Sequence, residues 1–151
     1  MKTIAESEIT YIHDGEFLPR QIKESVDFLI RKEYFVPALC VMACAIDALV
    51  AKGEKPRYLI ALKDNFPELC SELGALVFYE KYRNGSAHLL APLKGFAISR
   101  ESEMKGQYAI EIKVKETKKQ MTSLNIDRFY RDFNEFISNF CSIKNIKGDD
   151  L

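Results

Sequence analysis

The sequence predicts a single, mainly α-helical domain: an antiparallel helical bundle with a small β-hairpin inserted before the last helix. Two observations predict the helices. Apolar side chains recur every three or four residues over long stretches, and proline or glycine stands at the ends of those stretches. A third observation predicts the hairpin, because late in the chain the pattern changes to an alternation of apolar and polar residues.

The first two helices are expected to form a hairpin. The first begins near Phe17, and Pro19 suits its first turn. The second runs from about Phe35 to Ala51 and ends at Gly53. The short turn 32–34 places the two helices antiparallel to each other.

The middle of the chain predicts two further helices. Arg57–Asn65 is short and amphipathic, and the next helix covers Glu68–Tyr82 with an apolar face that includes Leu76. Gly85 is expected to bend the chain, and Ala87–Leu90 to restart a turn of helix.

The β-hairpin is predicted from two short segments. Phe96–Ser99 and Tyr108–Lys115 are the strands, and Glu101–Gly106 is the turn between them. In the second strand, isoleucine and valine alternate with charged residues, as expected for a sheet with one buried face.

The last helix has the clearest pattern in the chain. Ser123 or Asn125 can cap it, and core burial of its apolar stripe is favoured over a partner-binding surface. The stripe consists of residues spaced three or four apart: Ile126, Phe129, Tyr130, Phe133, Phe136, Ile137 and Phe140.

Bulk composition describes an ordinary globular chain. Its 151 residues fit one domain spanning 1–151, with a core from about residue 17 to residue 140 and flexible termini. The 22 basic residues balance 22 acidic ones. Zero net charge argues against a protein that coats nucleic acid, because phosphate binding draws on an excess of cations, but it permits one local basic groove.

The cysteines and histidines predict neither a metal site nor a cofactor. None of the four cysteines forms a C-x-x-C pair, and the chain has only two histidines. Unpaired cysteines fit a cytoplasmic protein. The segment Met1–Tyr11 lacks the apolar core of a signal peptide, and the apolar run Phe35–Ala51 is too short for a membrane span.

The stretch from Arg83 to His88 is the candidate for chemistry. Histidine can take or give a proton near neutral pH, and arginine presents a planar fork of donors to phosphate oxygens. Together these two side chains are the minimum that RNA cleavage needs, because the 2′-hydroxyl of the RNA is itself the nucleophile. On a straight helix, however, side chains five residues apart diverge by about 140° and lie about 7.5 Å apart along the axis. Either a bend at Gly85 or two copies sharing one site would bring them together, and a surface arginine with a capping or half-buried histidine remains the alternative.

The pattern Arg83-Asn84-x-x-x-His88 resembles the R-x4–6-H signature of HEPN domains. The asparagine after the arginine and the preceding apolar helix with its acidic residue, Asp47, also resemble this family. The resemblance implies a helical bundle that forms a homodimer, with the two motifs meeting in one composite ribonuclease site.

Several roles follow from the resemblance alone. It implies metal-independent cleavage that leaves a 2′,3′-cyclic phosphate, with Arg83 and His88 catalytic and Asn84 supporting. Asp47 is either a second supporting residue or an ion-pair partner, with Arg83 as one candidate. Many bacterial members act as toxins or in phage defence, so an antitoxin or another protein partner is expected. One branch carries a modified tyrosine two residues after the histidine, and Leu90 stands there instead.

Other residues are weaker candidates for binding RNA. Lys113 and Lys115 belong to a basic run that can guide an RNA backbone, although lysines also keep the edge of a sheet from pairing. Tyr79 and Tyr82 precede the motif and either can stack on a base, although one of them is expected to pack and the other to be exposed. Tyr82 is the one assigned to RNA binding. His13 is expected on the surface.

Three functions compete at this point. The first is an endoribonuclease acting on RNA. The second is a non-catalytic HEPN module that binds RNA, a nucleotide or a protein. The third is an adaptor whose last helix docks a partner through an exposed phenylalanine stripe.

Overall fold

The computed structural model describes Thr3 and residues 17–148, with side chains from residue 18 to residue 139 in the second range. This part of the chain is mostly helical and contains one small three-stranded sheet, which confirms the mainly α class. The prediction for His13 and the side chain of Phe140 lie outside the described residues.

Helices α1 (Phe17–Arg31) and α2 (Phe35–Ile46) form the predicted hairpin and pack against each other. Helix α2 continues into a π-helical turn, Asp47–Ala51, where the backbone bonds shift to a spacing of five residues. Gly53, with a φ of 81°, then reverses the chain as expected.

The predicted helix Glu68–Tyr82 is wrong as a single element. Helix α3 (Lys55–Asn65) is followed by α4 (Pro67–Glu72), and the chain then breaks at Gly74, whose φ is 95°. The break changes the rotational phase of the next helix, so Leu76 is exposed rather than inward.

A second continuous helical run carries the motif. It consists of α5 (Ala75–Val77), a π-helical segment (Phe78–Arg83) and α6 (Asn84–Leu89). Both π-helical turns of the described chain therefore adjoin residues of the candidate site.

The predicted bend at Gly85 is wrong, because Gly85 lies inside α6. Its lack of a side chain serves close packing instead. A Cβ atom there would lie 2.9 Å from the Leu93 nitrogen and would collide with the Ala91 carbonyl oxygen. The segment after α6 thus folds back onto the helix, and the Leu93 N–H donates to the Lys81 carbonyl at 2.9 Å.

The sheet differs from the predicted hairpin. Strands β1 (Phe96–Ser99) and β2 (Ala109–Lys113) do not pair with each other, because β3 (Gln120–Asn125) lies between them. β3 is parallel to β1 and antiparallel to β2, and the predicted turn contains a short helix, α7 (Glu101–Met104). The hairpin is therefore β2–β3.

Helix α8 (Ile126–Gly148) confirms the predicted stripe over its described side chains. Phe129, Phe133 and Ile137 are completely buried, and Phe136 nearly so. The core interpretation is confirmed, and the exposed stripe that an adaptor needs is absent from Phe129 to Ile137. Asn125 caps the helix by accepting a hydrogen bond from the Arg128 N–H at 3.0 Å.

No single helix within residues 17–148 is both long and apolar enough to cross a membrane. One sharply bent pair of segments, Phe35–Ala51 with Lys55–Asn65, meets that criterion only when the two are joined across a 107° angle.

Candidate functional site

An ion pair joins the two π-helical turns. Arg83, the last residue of one turn, donates from Nη2 to Oδ2 of Asp47, the first residue of the other. The two side chains are only 17% and 13% exposed. This contact confirms the interpretation of Asp47 as an ion-pair partner of Arg83. π-Helical turns occur frequently at functional sites, so the meeting of two such turns at this ion pair supports a functional site here.

Asp47 uses both carboxylate oxygens. Oδ2 accepts from Arg83, and Oδ1 accepts the backbone N–H of Gly53 at 2.8 Å. The same side chain therefore fixes the guanidinium and closes the loop after α2. Its position is set by the π-helical turn, which begins at Asp47 itself.

The Arg83 guanidinium is held on several sides. Nη1 donates to Oδ1 of Asn84 at 2.9 Å, and Cζ lies 5.2 Å from the centroid of the Tyr79 ring. Burial tends to lower the pKa of Arg83, but the hydrogen bond and charge of Asp47 outweigh it and raise that pKa. Arg83 Nε is buried and has no hydrogen-bond partner among the described residues. The guanidinium is thus permanently charged and oriented.

Aromatic and thiol groups surround this pair. The Tyr58 ring packs edge-on against Tyr79 with 5.2 Å between centroids, and its hydroxyl donates to the Ala43 carbonyl at 2.8 Å. Cys44 is half-buried nearby. Burial raises the pKa of its thiol, although the positive charge of Arg83 opposes the rise. A raised pKa lowers the fraction of the thiol that is present as the nucleophilic thiolate at neutral pH.

His88 lies near the end of α6 and is exposed. Its imidazole has no hydrogen-bond or ion-pair partner among the described residues. The two residues that follow it are also exposed, Leu89 by 65% and Leu90 by 73%. Within one copy of the chain, Arg83 bonds to Asp47 and Asn84, and no hydrogen bond or ion pair among the described residues joins His88 to any of the three. The structure therefore links Arg83, Asn84 and Asp47 directly and leaves His88 unbonded to them.

Tyr82 is not available to stack on RNA, which corrects its place among the candidate binding residues. Its side chain is completely buried, and its hydroxyl donates to the carbonyls of Ala97 at 3.0 Å and Thr122 at 3.1 Å. Tyr82 instead fixes the helical run to β1 and β3. Tyr79, four residues before Arg83, shares a helical face with it and is the tyrosine whose ring lies beside the guanidinium.

Lys113 and Lys115 are both exposed, at the end of β2 and in the turn that follows it. Because β2 is an edge strand, this position fits lysines that keep a sheet edge from pairing. Their proposed contact with RNA stays a prediction.

Sequence reasoning missed Lys55. Its Nζ lies 5.4 Å from the centroid of the same Tyr79 ring that Arg83 approaches. No motif includes Lys55, because it reaches the site only through the packing of α3 against the helical run.

The side chains of the site offer a fixed cation, an exposed imidazole and an amide. The described residues contain no group of three or more His, Cys, Asp or Glu placed to hold a metal ion. Comparisons of the chain with models of known protein families, with curated proteins and with solved structures found no match.

Proposed function

We propose that the chain is an endoribonuclease of the HEPN type that cleaves RNA through Arg83 and His88 without a metal ion. One observation carries the proposal. A single helical run holds a guanidinium fixed by Asp47 and, five residues later, an imidazole that is exposed and unpartnered. These are the two groups that RNA cleavage by its own 2′-hydroxyl requires.

In the proposed reaction, the 2′-oxygen attacks the adjacent phosphorus and the bond from phosphorus to the 5′-oxygen breaks. His88 takes the proton of the 2′-hydroxyl and, as the imidazolium so formed, gives a proton to the leaving 5′-oxygen. Arg83 stabilises the charge that develops on the phosphoryl oxygens. Asn84 orients Arg83 through Nη1, and Asp47 positions it through Nη2. The products are a 2′,3′-cyclic phosphate and a 5′-hydroxyl.

The proposed site is composite and forms in a homodimer. Arg83 ends the π-helical segment and His88 lies five residues later in α6, where α-helical geometry turns side chains at that spacing about 140° apart. We therefore propose that one phosphate meets Arg83 of one copy and His88 of the other. A two-fold axis near α6 would place His88 of each copy beside Arg83 of the other. The exposed Leu89 and Leu90 support an interface there, because exposed apolar residues beside a site are typical of association surfaces.

We also propose the biological setting that the HEPN resemblance implies. In it the chain acts on RNA in the cytoplasm as a toxin or phage-defence enzyme and has an antitoxin or another protein as a partner. The absence of a tyrosine at Leu90 argues against restraint by nucleotidylation at this position.

The competing function is a non-catalytic HEPN module that binds RNA, a nucleotide or a protein. One observation favours it. Arg83 is engaged by Asp47 and Asn84 and is only 17% exposed, so the ion pair also fits a purely structural role.

RNA cleavage in the presence of EDTA tests the proposal. We expect the purified protein to cleave single-stranded RNA under these conditions and to leave 2′,3′-cyclic phosphate ends. Sedimentation of the same preparation should show a dimer. Absence of cleavage by the folded dimer, or cleavage that EDTA abolishes, would contradict the proposal and favour the binding module.

A further inference from the structure

Two cations share one aromatic ring at the edge of the site. Arg83 Cζ lies 5.2 Å and Lys55 Nζ lies 5.4 Å from the centroid of the Tyr79 ring. The two charges are therefore no more than about 11 Å apart, which is on the order of a few phosphate spacings along a strand. Tyr79 is itself held edge-on by the buried Tyr58, so its ring is a fixed contact for both cations.

The two cations differ in how firmly they are held. Arg83 is mostly buried in its pair with Asp47. Lys55 pairs with Glu80 at 3.3 Å, and these side chains are 46% and 43% exposed. An ion pair this exposed is weak in water, so a phosphate can displace the carboxylate. Lys55 thus supplies a mobile charge next to the fixed charge of Arg83.

We propose that Lys55 is a second phosphate-binding residue of the site, and that it holds the backbone of single-stranded RNA beside Arg83. This inference rests on the proposed ribonuclease function. Lysine suits the role because its ammonium is a compact charge on a flexible stem, which follows a phosphate without demanding one geometry. Glu80 pairs with the Lys55 ammonium when no RNA is bound, so its carboxylate competes with the phosphates of the RNA backbone.

The salt dependence of RNA binding tests this proposal. The probe is a short fluorescent single-stranded RNA, and the protein carries His88→Ala so that the probe stays intact. Binding is measured between about 50 and 200 mM salt, where each neutralised phosphate contributes about 0.7 to the slope of log affinity against log salt. We expect Lys55→Gln to lower the slope by about that amount and to weaken binding several-fold at low salt. Lys55→Arg keeps the positive charge and should retain both the slope and the affinity of the parent protein.

Two further variants distinguish a direct contact between Lys55 and RNA from a general effect of charge and from a loss of stability. Lys63→Gln removes the same charge from an exposed position eight residues along the same helix, and we expect it to leave the slope unchanged. Glu80→Gln should strengthen binding by freeing Lys55, and this gain should shrink in a protein that also carries Lys55→Gln. A purely structural ion pair would instead make both single variants weaken binding together.

The outcomes distinguish a failure of the proposed role of Lys55 from a failure of the proposed ribonuclease function. If the His88→Ala protein binds RNA and Lys55→Gln changes the slope no more than Lys63→Gln does, the role of Lys55 is wrong while the ribonuclease proposal stands. If the folded protein binds no RNA even at low salt, both proposals are overturned.

Discussion

His88→Ala is expected to lower the rate of RNA cleavage by about 100- to 10,000-fold, the usual contribution of a positioned acid or base. The imidazole is exposed and bonds to none of the described residues. Removing it should therefore change the free energy of unfolding by no more than about 0.5 kcal/mol. Cleavage rates in EDTA and urea unfolding curves, measured on the same preparations, check both parts.

Lys63→Gln is the matched control for His88→Ala, because it also alters an exposed helical residue. We expect it to retain the wild-type rate. A His88→Ala protein that is fully folded and as active as the wild type would remove His88 from the mechanism. Loss of stability along with activity would instead show that the imidazole has a structural contact.

Asp47→Ala is expected to lower the free energy of unfolding by about 3 kcal/mol. The change leaves the mostly buried Arg83 charge without its partner, and such losses reach about 3–5 kcal/mol where burial is complete. It also removes the acceptor of the Gly53 N–H. Urea unfolding of the wild type and the variant measures the loss.

Two matched variants identify which bond is responsible. Asp47→Asn keeps an acceptor for Gly53 and removes the charge, so it should be less destabilising than alanine. In a double-mutant cycle, Asp47→Ala and Arg83→Ala should cost less together than the sum of the two single changes. Additive effects, or a loss below about 0.5 kcal/mol for Asp47→Ala, would contradict the role of this pair in stability.

The helices that sequence predicts well are those whose periodicity is uninterrupted. The α1–α2 hairpin and the buried face of α8 follow from apolar residues spaced three or four apart. Prediction fails where one residue interrupts a helix and so changes which face of the following helix is buried. Gly74 breaks the helix assigned to Glu68–Tyr82, and the exposure of Leu76 follows from that break.

The sheet could not be predicted because its central strand carries no alternating pattern. β3 has the sequence Gln-Met-Thr-Ser-Leu-Asn, in which apolar and polar residues do not alternate and the polar Ser123 and Asn125 are buried. Thr122 and Ser123 pair with both outer strands. Pairing with β3 therefore separates two segments, Phe96–Ser99 and Tyr108–Lys115, that are adjacent candidates in sequence.

The candidate site is readable from sequence only in part. Arg83, Asn84 and His88 stand out as a motif, and Asp47 as an acid in an apolar helix. The π-helical turns cannot be read from sequence, because their five-residue bonding depends on tertiary packing. Packing against the sheet buries Tyr82, whereas Tyr79 lies beside Arg83, so the base-stacking role was assigned to the wrong tyrosine.

The central claim is that Arg83 acts on the phosphate as well as pairing with Asp47. The rate of RNA cleavage by Arg83→Lys, in EDTA and at matched folding, tests it most directly. Lysine keeps the positive charge opposite Asp47 but loses the planar fork that fits two phosphate oxygens. We predict a folded protein that cleaves RNA at least about 100-fold more slowly than the wild type. A folded Arg83→Lys protein with the wild-type rate would contradict the account and leave Arg83 with a structural role.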